Sequence, residues 1–190
     1  MSAPPPALLP AMWLAWAGYW ALRAADAKPT ARREGMLSRA LHLVPLAIAF
    51  ALVVRPGPTV AALDARFVPP LASVAWIGAV LTLGGLLFAV QARRRLGRNW
   101  SGTVTVKEGH GLVTDGPYGV VRHPIYTGLL AAFFGTALAL GQWRGLLATG
   151  LVLVAFVRKI RLEERWMGET FGDAYDAYRR RVPALVPGLW

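Results

Sequence analysis

Residues 116–128 read Gly-Pro-Tyr-Gly-Val-Val-Arg-His-Pro-Ile-Tyr-Thr-Gly, and they carry a polar loop directly into an apolar segment. Arg122 and His123 stand at that entrance, where charge close to hydrocarbon is disfavoured and so usually serves a function. A second polar cluster, residues 158–164, follows directly after the last apolar run. Two such clusters can meet at one face of a membrane. The pattern predicts a site at the bilayer surface, open to a charged ligand and to a lipid-like one.

The composition is that of a membrane protein. Of 190 residues, 55% are hydrophobic and only 16% are charged, and eight are tryptophan. Several apolar runs reach or approach the roughly 20 residues that an α-helix needs to cross hydrocarbon. A soluble domain of this length could not bury so much apolar surface. We therefore expect a single all-α integral membrane domain over residues 1–190.

The net charge of +11 has a membrane explanation. In a soluble protein it would point to nucleic acid, but here the basic residues flank the apolar runs, where they set orientation and contact anionic lipid head groups. Membrane lipids, and not nucleic acid, are the expected partners. The chain has no cysteine, which excludes a disulfide framework, a thiolate metal site and a catalytic thiol. Its three histidines are scattered without zinc-site spacing, so no metal is expected.

Five apolar segments predict about five transmembrane helices, at residues 8–22, 36–54, 71–92, 125–140 and 146–157. The first is interpreted as a retained span and not as a cleaved signal peptide, because no basic residue precedes it. Eighteen of the 21 basic residues fall in connections on one side. The positive-inside rule then places the N-terminus outside and both polar clusters in the cytoplasm. The Ala-, Arg- and Pro-rich composition favours a bacterial inner membrane.

Two features near the C-terminus bear on the shape of the site. The link at residues 141–145 is so short that the last two spans must form an antiparallel hairpin. Small residues such as Gly128 and Gly145 would let these two helices approach closely. Residues 165–182 predict an amphipathic helix that lies on the membrane or docks against the cytoplasmic loop, and its apolar face consists of Met167, Phe171, Tyr175 and Tyr178.

The polar segments carry a resemblance to a known family. In order and spacing, the chain resembles the isoprenylcysteine carboxyl methyltransferase family, with which the phospholipid N-methyltransferases share a general scheme. The resemblance covers residues 78–187, a methyltransferase-like core, and leaves the N-terminal spans in residues 1–70 without a clear role. It implies S-adenosylmethionine as the cofactor, held by the cytoplasmic loop and the C-terminal amphipathic helix. The matching segments are residues 96–101, 108–118 and 122–128, the pair Glu163-Glu164, and residues 171–178.

The residues in these segments suit that cofactor. A guanidinium such as Arg122 can bind its carboxylate in a bidentate fork. Carboxylates can accept hydrogen bonds from its ribose hydroxyls or its ammonium, and tyrosine rings can lie near its adenine or sulfonium. By resemblance, the loop that contains His110 cradles the adenine. The expected cofactor-binding set is His110, Leu112, Val113, Tyr118, Arg122, His123, Tyr126, Glu163 and Glu164.

Several of these residues also have plainer roles. Arg122 can reach towards lipid phosphates, His123 can cap a helix, and the glutamates can pair with basic neighbours on a solvated face. Adjacent carboxylates point to different faces of a helix. Only one of Glu163 and Glu164 is therefore expected to enter the site.

Arg158 and Glu163 are expected to act in the methyl transfer. A carboxylate acceptor is already ionised and needs no base, so Arg158 would only have to orient it. An amine acceptor, as in a phospholipid or amine N-methyltransferase, would need a base, and Glu163 or His123 would have to serve. We expect the acceptor, a lipophilic small molecule or a prenylated substrate, to enter from the bilayer. An NADPH-dependent membrane reductase and a non-enzymatic membrane subunit remain as alternatives.

Overall fold

The computed structural model describes residues 2–24, 30–54, 60–97, 105–107 and 111–188, and over these ranges the chain is mainly helical. This confirms the predicted helical architecture, to which the structure adds two short strands. In chain order the elements are α1 (Leu8–Ala24), β1 (Thr30–Arg33), α2 (Met36–Val54), α3 (Ala61–Asp64), α4 (Ala72–Leu96), β2 (Thr105–Lys107), α5 (Pro117–Val120), α6 (Pro124–Leu140), α7 (Trp143–Phe171) and α8 (Asp173–Arg181).

Among the described residues, two helices, α2 and α4, are long and apolar enough to cross a membrane. Helix α6 is apolar too, but with 17 residues it is shorter than the roughly 20 that a full crossing needs. The structure therefore supports membrane association through at least these apolar helices. The count of about five transmembrane helices stays a prediction.

The connections between helices meet in two groups. Strands β1 and β2 pair antiparallel, with Thr30 opposite Lys107, so the α1–α2 and α4–α5 connections lie together. The α2–α4 and α6–α7 connections also lie together, because the Phe67 N–H donates to the Gly141 carbonyl over 2.9 Å. Consecutive long helices thus run in alternating directions, and the chain returns to the same end after every second helix.

Helices α4 and α6 pack with their backbones close together. A Cβ added to Gly85 would clash with the backbone of Gly128 and Ala132, and a Cβ on Gly135 would clash with Thr82. We expected Gly128 to bring α6 close to α7, and this was wrong, since it faces α4. Of the two residues named for the α6–α7 contact, only Gly145 serves it, by packing on Ala137. The sequence pattern shows that one face of a helix consists of small residues, but it does not show which neighbouring helix packs against that face.

Aromatic and aliphatic side chains from five helices form the core. Trp13 of α1 lies against Phe50 of α2 and Phe133 of α6, with ring centroids 5.2 and 4.9 Å away. The Trp13 indole N–H donates to the Thr136 hydroxyl over 3.0 Å, which satisfies a buried donor. The remaining members include Leu86 of α4 and Phe156 of α7. Helices α1 and α2 are therefore part of one packed bundle with the other helices.

Helix α7 is much longer than the apolar run that predicted it. It continues from Trp143 to Phe171, so residues 158–171 extend beyond the apolar segment as helix. Gly172, with φ at 50°, ends α7, and the nine-residue helix α8 begins directly after it. The single amphipathic helix predicted over residues 165–182 is thus wrong in its boundaries. Glycine adopts this positive φ at little cost, which allows the sharp change of direction.

Candidate cofactor site at the start of α6 and the end of α7

The start of α6 is held by the segment that follows α8. Pro124 occupies the first helical turn, where its missing N–H costs nothing. The backbone N–H groups of Arg122 and His123 donate to the carbonyls of Pro183 and Ala184 over 2.8 and 3.0 Å. The Thr127 hydroxyl donates to the Leu185 carbonyl over 2.7 Å. The C-terminal segment therefore satisfies polar groups at the entrance of α6 and fixes its position.

Arg122 joins α6 to the end of α7. Its Nε and Nη2 atoms lie 2.8 and 2.7 Å from Oε1 of Glu164. Its Nη1 donates to the carbonyls of Arg179 and Val182, at the end of α8. A charge-assisted pair of this kind, largely shielded from solvent, is stronger than a neutral hydrogen bond. The predicted convergence of the two polar clusters is thus found in the structure.

His123 lies between the two glutamates. Its Nδ1 is 3.5 Å from Glu163 Oε2, and its Nε2 is 3.2 Å from Glu164 Oε1. Tyr126 adds a hydrogen bond from its hydroxyl to Glu163 Oε1 over 2.7 Å. The expectation that only one glutamate would face the site was therefore wrong. One imidazole reaches two adjacent carboxylates because it presents a nitrogen to each.

Electrostatics favour the ionised form of this cluster, which lies beyond the apolar segments. Burial alone would lower the pKa of His123, but its hydrogen bonds to Glu163 and Glu164 raise it above the ordinary 6.5. Burial would raise the pKa of both glutamates, yet their hydrogen bonds with His123 lower it below the ordinary 4.5. Lys159 adds to this for Glu163 and Arg122 for Glu164. The cluster therefore favours an imidazolium between two carboxylates.

An aromatic wall lines the cluster. The ring of Tyr126 stacks on His123 with centroids 5.6 Å apart and on Phe156 with centroids 4.6 Å apart. Lys159, which is buried, places its Nζ 5.3 Å from the centroid of the Tyr126 ring. From sequence alone, Lys159 was only one of the basic neighbours that could pair with the glutamates on a solvated face. Its spacing of four residues from Glu163 on one helix was the signal that places it beside the site.

Tyr118 and the two tyrosines of α8, Tyr175 and Tyr178, are buried near this cluster. The Tyr178 hydroxyl donates to the Tyr118 carbonyl over 2.6 Å, and all three tyrosines are buried. Burial raises the pKa of Tyr178 to about 12 and that of Tyr118 and Tyr175 further, so all three stay neutral. Tyr178, on the predicted apolar face, thus docks against α5, in the connection that precedes α6. Val113 packs with Tyr118 and Ile125, next to Tyr126.

Two predicted residues stand apart from this cluster. Arg158 reaches α2, where its Nη1 and Nη2 donate to the carbonyl and hydroxyl of Ser38 over 3.0 and 2.9 Å. Leu112 is half-buried in the segment before α5. His110 falls outside the described residues. In the described part of the chain no group of three His, Cys, Asp or Glu side chains is placed to hold a metal ion.

Fold and site together define a helical protein with a compact, charge-paired site at the ends of apolar helices. The chain belongs to the phospholipid methyltransferase family, whose family model matches residues 74–174. This match contains both Arg122-His123 and Glu163-Glu164, and it confirms the family resemblance found in the sequence. Membership of a methyltransferase family is therefore shown.

Individual relatives agree with this family. The chain is 40% identical over 94 residues to protein-S-isoprenylcysteine O-methyltransferase of Schizosaccharomyces pombe, covering 48% of the chain and 40% of the relative. It is 32% identical over 127 residues to protein-S-isoprenylcysteine O-methyltransferase B of Arabidopsis thaliana, covering 64% of each. It is 45% identical over 75 residues to methanethiol S-methyltransferase 2 of Bradyrhizobium diazoefficiens, covering 38% of the chain and 27% of the relative. These matches span less than two thirds of each relative's length.

Proposed function

We propose that the protein is an S-adenosylmethionine-dependent membrane methyltransferase that acts on a lipophilic acceptor. The observation that carries this proposal is the convergence of Arg122 and His123 with Glu163 and Glu164, at the ends of apolar helices. The family match over residues 74–174, which contains all four residues, and the methyltransferase relatives support it. The catalytic core is proposed to extend over residues 78–187.

The donor set of the site fits this cofactor. S-adenosylmethionine carries a cationic sulfonium, an ammonium, a carboxylate and a ribose diol. The ionised carboxylates of Glu163 and Glu164 suit the ammonium and the hydroxyls, and the Arg122 guanidinium suits the carboxylate. The stacked Tyr126 ring offers a π-face to a cation. We propose that these residues hold the cofactor together with His110, Leu112, Val113, Tyr118 and His123.

The cofactor supplies an activated methyl group, and the protein supplies position and charge. In the proposed reaction an acceptor oxygen forms a bond to the methyl carbon as the carbon–sulfur bond breaks, and the electron pair stays on sulfur. A carboxylate acceptor needs no proton removal, and we favour it because two of the relatives above are named isoprenylcysteine O-methyltransferases. Arg158, placed by its bonds to Ser38, is the proposed orienting residue. For an amine acceptor, Glu163 or His123 would accept the proton.

We propose a bacterial inner-membrane location with five spans, the N-terminus outside and the site in the cytoplasm. The meeting of alternate connections at opposite ends of the bundle supports this topology. The exposed apolar side chains of α2 and α4, including Leu41, Ile48 and Val80, support contact with lipid. An acceptor dissolved in the bilayer would then reach the site laterally.

The test is product identification. Purified protein is incubated with S-adenosylmethionine carrying a labelled methyl group and a native lipid extract, and the labelled product is identified by mass spectrometry. The proposal expects label in a lipid-soluble product and none with Glu164→Gln. The matched control is Arg165→Ala, an exposed residue on the next position of α7, which keeps activity. Binding of NADPH in competition with S-adenosylhomocysteine would instead favour the reductase alternative. Absence of any labelled product while the protein is folded would favour the non-enzymatic alternative.

A further inference from the structure

The C-terminal segment, residues 182–185, attaches to one short stretch of the chain. Each of its four carbonyls accepts a hydrogen bond from residues 122–127, at the entrance of α6. In chain order, the donors are the Arg122 guanidinium, the backbone N–H groups of Arg122 and His123, and the Thr127 hydroxyl. The bonds therefore converge on the turn that carries the candidate site and do not spread along α6.

The Thr127 hydroxyl is oriented differently from those of the other helical threonines. A threonine inside a helix commonly donates to the carbonyl of its own helix four residues earlier. The other threonines of the described helices do so over 2.7–2.9 Å, and these are Thr82, Thr136, Thr149 and Thr170. Thr127 lies 3.3 Å from the corresponding carbonyl of His123 but 2.7 Å from that of Leu185. Because a hydroxyl has one proton, the shorter contact directs it to the C-terminal segment.

Burial and a contact with α8 hold the C-terminal segment in place. Ala184 is fully shielded from solvent and Leu185 is 3% exposed, whereas the next residue, Val186, is 46% exposed. At the other end, the Val182 N–H donates to the Tyr178 carbonyl over 3.1 Å. The segment is thus anchored at both ends. It lies beyond the family match, which ends at residue 174, so family membership assigns it no role.

Two side chains of the candidate site depend on this attachment. Arg122 and His123 precede the first helical residue of α6, so their N–H groups have no acceptor within that helix. The C-terminal segment supplies the acceptors and fixes the backbone from which both side chains reach Glu164. A misplacement of about 1 Å in groups that position a reacting molecule can be costly. The segment is therefore placed to control the geometry of the site without belonging to it.

We propose that Thr127 is a positioning residue of the cofactor site and acts through the C-terminal segment. Its hydroxyl fixes this segment against the start of α6, and the carbonyls of the segment hold Arg122 and His123 in the pose that binds the cofactor. Thr127 itself does not contact the cofactor. Loss of the hydroxyl deprives the buried Leu185 carbonyl of this donor, which destabilises the attachment. This inference rests on the proposed methyltransferase function and adds residues that set cofactor affinity from outside the site.

The experiment separates positioning from folding. Affinity for S-adenosylhomocysteine is measured by calorimetry in detergent, and the unfolding temperature shows whether each variant is folded. Thr127→Val, which removes the hydroxyl and keeps the branched shape, should weaken this affinity by about tenfold. Thr127→Ser, which retains the hydroxyl, should bind like the unmodified protein. Thr149→Val is the matched control and should also bind normally, because that hydroxyl donates within α7, to the Gly145 carbonyl over 2.9 Å.

A second pair of variants acts on the C-terminal segment directly. Ala184→Leu adds bulk at a fully buried position, so it should displace the segment and weaken affinity for S-adenosylhomocysteine. Val186→Leu, at the exposed neighbouring position, is its control and should bind normally. With native lipid extract as acceptor, KM for S-adenosylmethionine should rise in Thr127→Val and Ala184→Leu in parallel with the loss of affinity. The value of kcat at saturating cofactor should change little.

The outcomes distinguish this inference from the function on which it rests. Unchanged affinity in Thr127→Val would overturn the positioning role, even if the unfolding temperature falls, because the bond would then serve the fold alone. An equal loss of affinity in Thr149→Val would also overturn it. If the folded, unmodified protein does not bind S-adenosylhomocysteine, the cofactor site itself is overturned. If Thr127→Val does not fold, Ala184→Leu and Val186→Leu decide the question, and equal affinity of these two variants would overturn the inference.

Discussion

At the scale of residues, His123 is the centre of the candidate site. It contacts both glutamates, stacks on Tyr126 and is anchored by its backbone to the C-terminal segment. Arg122 completes the arrangement by pairing with Glu164 and with carbonyls at the end of α8. Apart from the stacking on the neighbouring Tyr126, each of these contacts joins residues more than 35 positions apart, so the site forms only when the whole bundle is folded.

Arg122→Ala should abolish binding of S-adenosylhomocysteine, measured by calorimetry in detergent. The change removes the proposed partner of the cofactor carboxylate. It also leaves Glu164 without its cation, and removing one partner of a buried ion pair lowers the free energy of unfolding by roughly 3–5 kcal/mol. Arg165→Ala, an exposed arginine one residue beyond Glu164, is the control and should bind normally. Unchanged affinity in Arg122→Ala would remove Arg122 from the cofactor site.

The ionised cluster also predicts how stability depends on pH. Because the pKa of His123 is raised, its contribution is complete below about pH 6.5 and is lost as pH rises through the folded-state pKa. The lowered pKa values of Glu163 and Glu164 contribute stability above about pH 4.5, which is lost as pH falls through their folded-state values. The unfolding temperature in detergent should therefore fall as the solution is made alkaline from about pH 6.5.

The matched variant for this effect is His123→Asn, whose side chain does not titrate. It should be less stable than the unmodified protein near pH 6 and should show a flatter alkaline profile. If both proteins lose stability in parallel as pH rises, the His123–glutamate contacts do not contribute as described.

At the scale of elements, two helices decide where the site lies. Helix α7 carries Glu163 and Glu164 beyond its apolar segment, and α6 begins at the Arg122-His123-Pro124 junction. The sequence predicted both junctions, because charge at the end of an apolar run is conspicuous. It did not predict that α7 continues to Phe171, because the apolar run ends at residue 157 whereas the helix continues beyond it.

Other features could not be obtained from sequence because they depend on the neighbours of a helix. The partner of Gly128 is α4 and not α7, and no local pattern distinguishes the two. His42 gave no signal at all, since a lone histidine on an apolar helix resembles any buried histidine. Its position beside Glu34, with Nε2 3.4 Å from Oε1, becomes visible only in the packed bundle.

The close contact of α4 with α6 makes a prediction from two adjacent glycines. Gly85→Ala should lower the free energy of unfolding by about 1–3 kcal/mol, because its Cβ would meet the backbone of Gly128 and force the helices apart. Gly84→Ala is the matched control, since an added Cβ there meets nothing within 4 Å. Thermal unfolding in detergent measures both, and equal stability of the two variants would contradict the described packing.

At the scale of the whole molecule, the proposed topology follows from alternation of the helices. The connections paired through β1 and β2, with the helix ends beside them, carry 11 of the 21 basic residues, and seven more follow the apolar part of α7. The connections joined by Phe67 and Gly141 carry three. The positive-inside rule places the first group in the cytoplasm. The candidate site lies at this same end, with the start of α6 and the end of α7.

Cysteine labelling tests this orientation, because the chain has no cysteine of its own. Ser2→Cys and Ala62→Cys, both exposed, should react with a membrane-impermeant maleimide in intact cells. Ala174→Cys, exposed on α8, should react only after the membrane is permeabilised. Labelling of Ala174→Cys in intact cells would reverse the proposed orientation.

The most direct measurement of the central claim is an experimental structure of the purified protein with S-adenosylhomocysteine bound. The account predicts one molecule between the start of α6 and the end of α7, with its carboxylate at Arg122 and its polar groups within hydrogen-bond distance of Glu163 or Glu164. A ligand bound at another end of the bundle, or no bound ligand at saturating concentration, would contradict it.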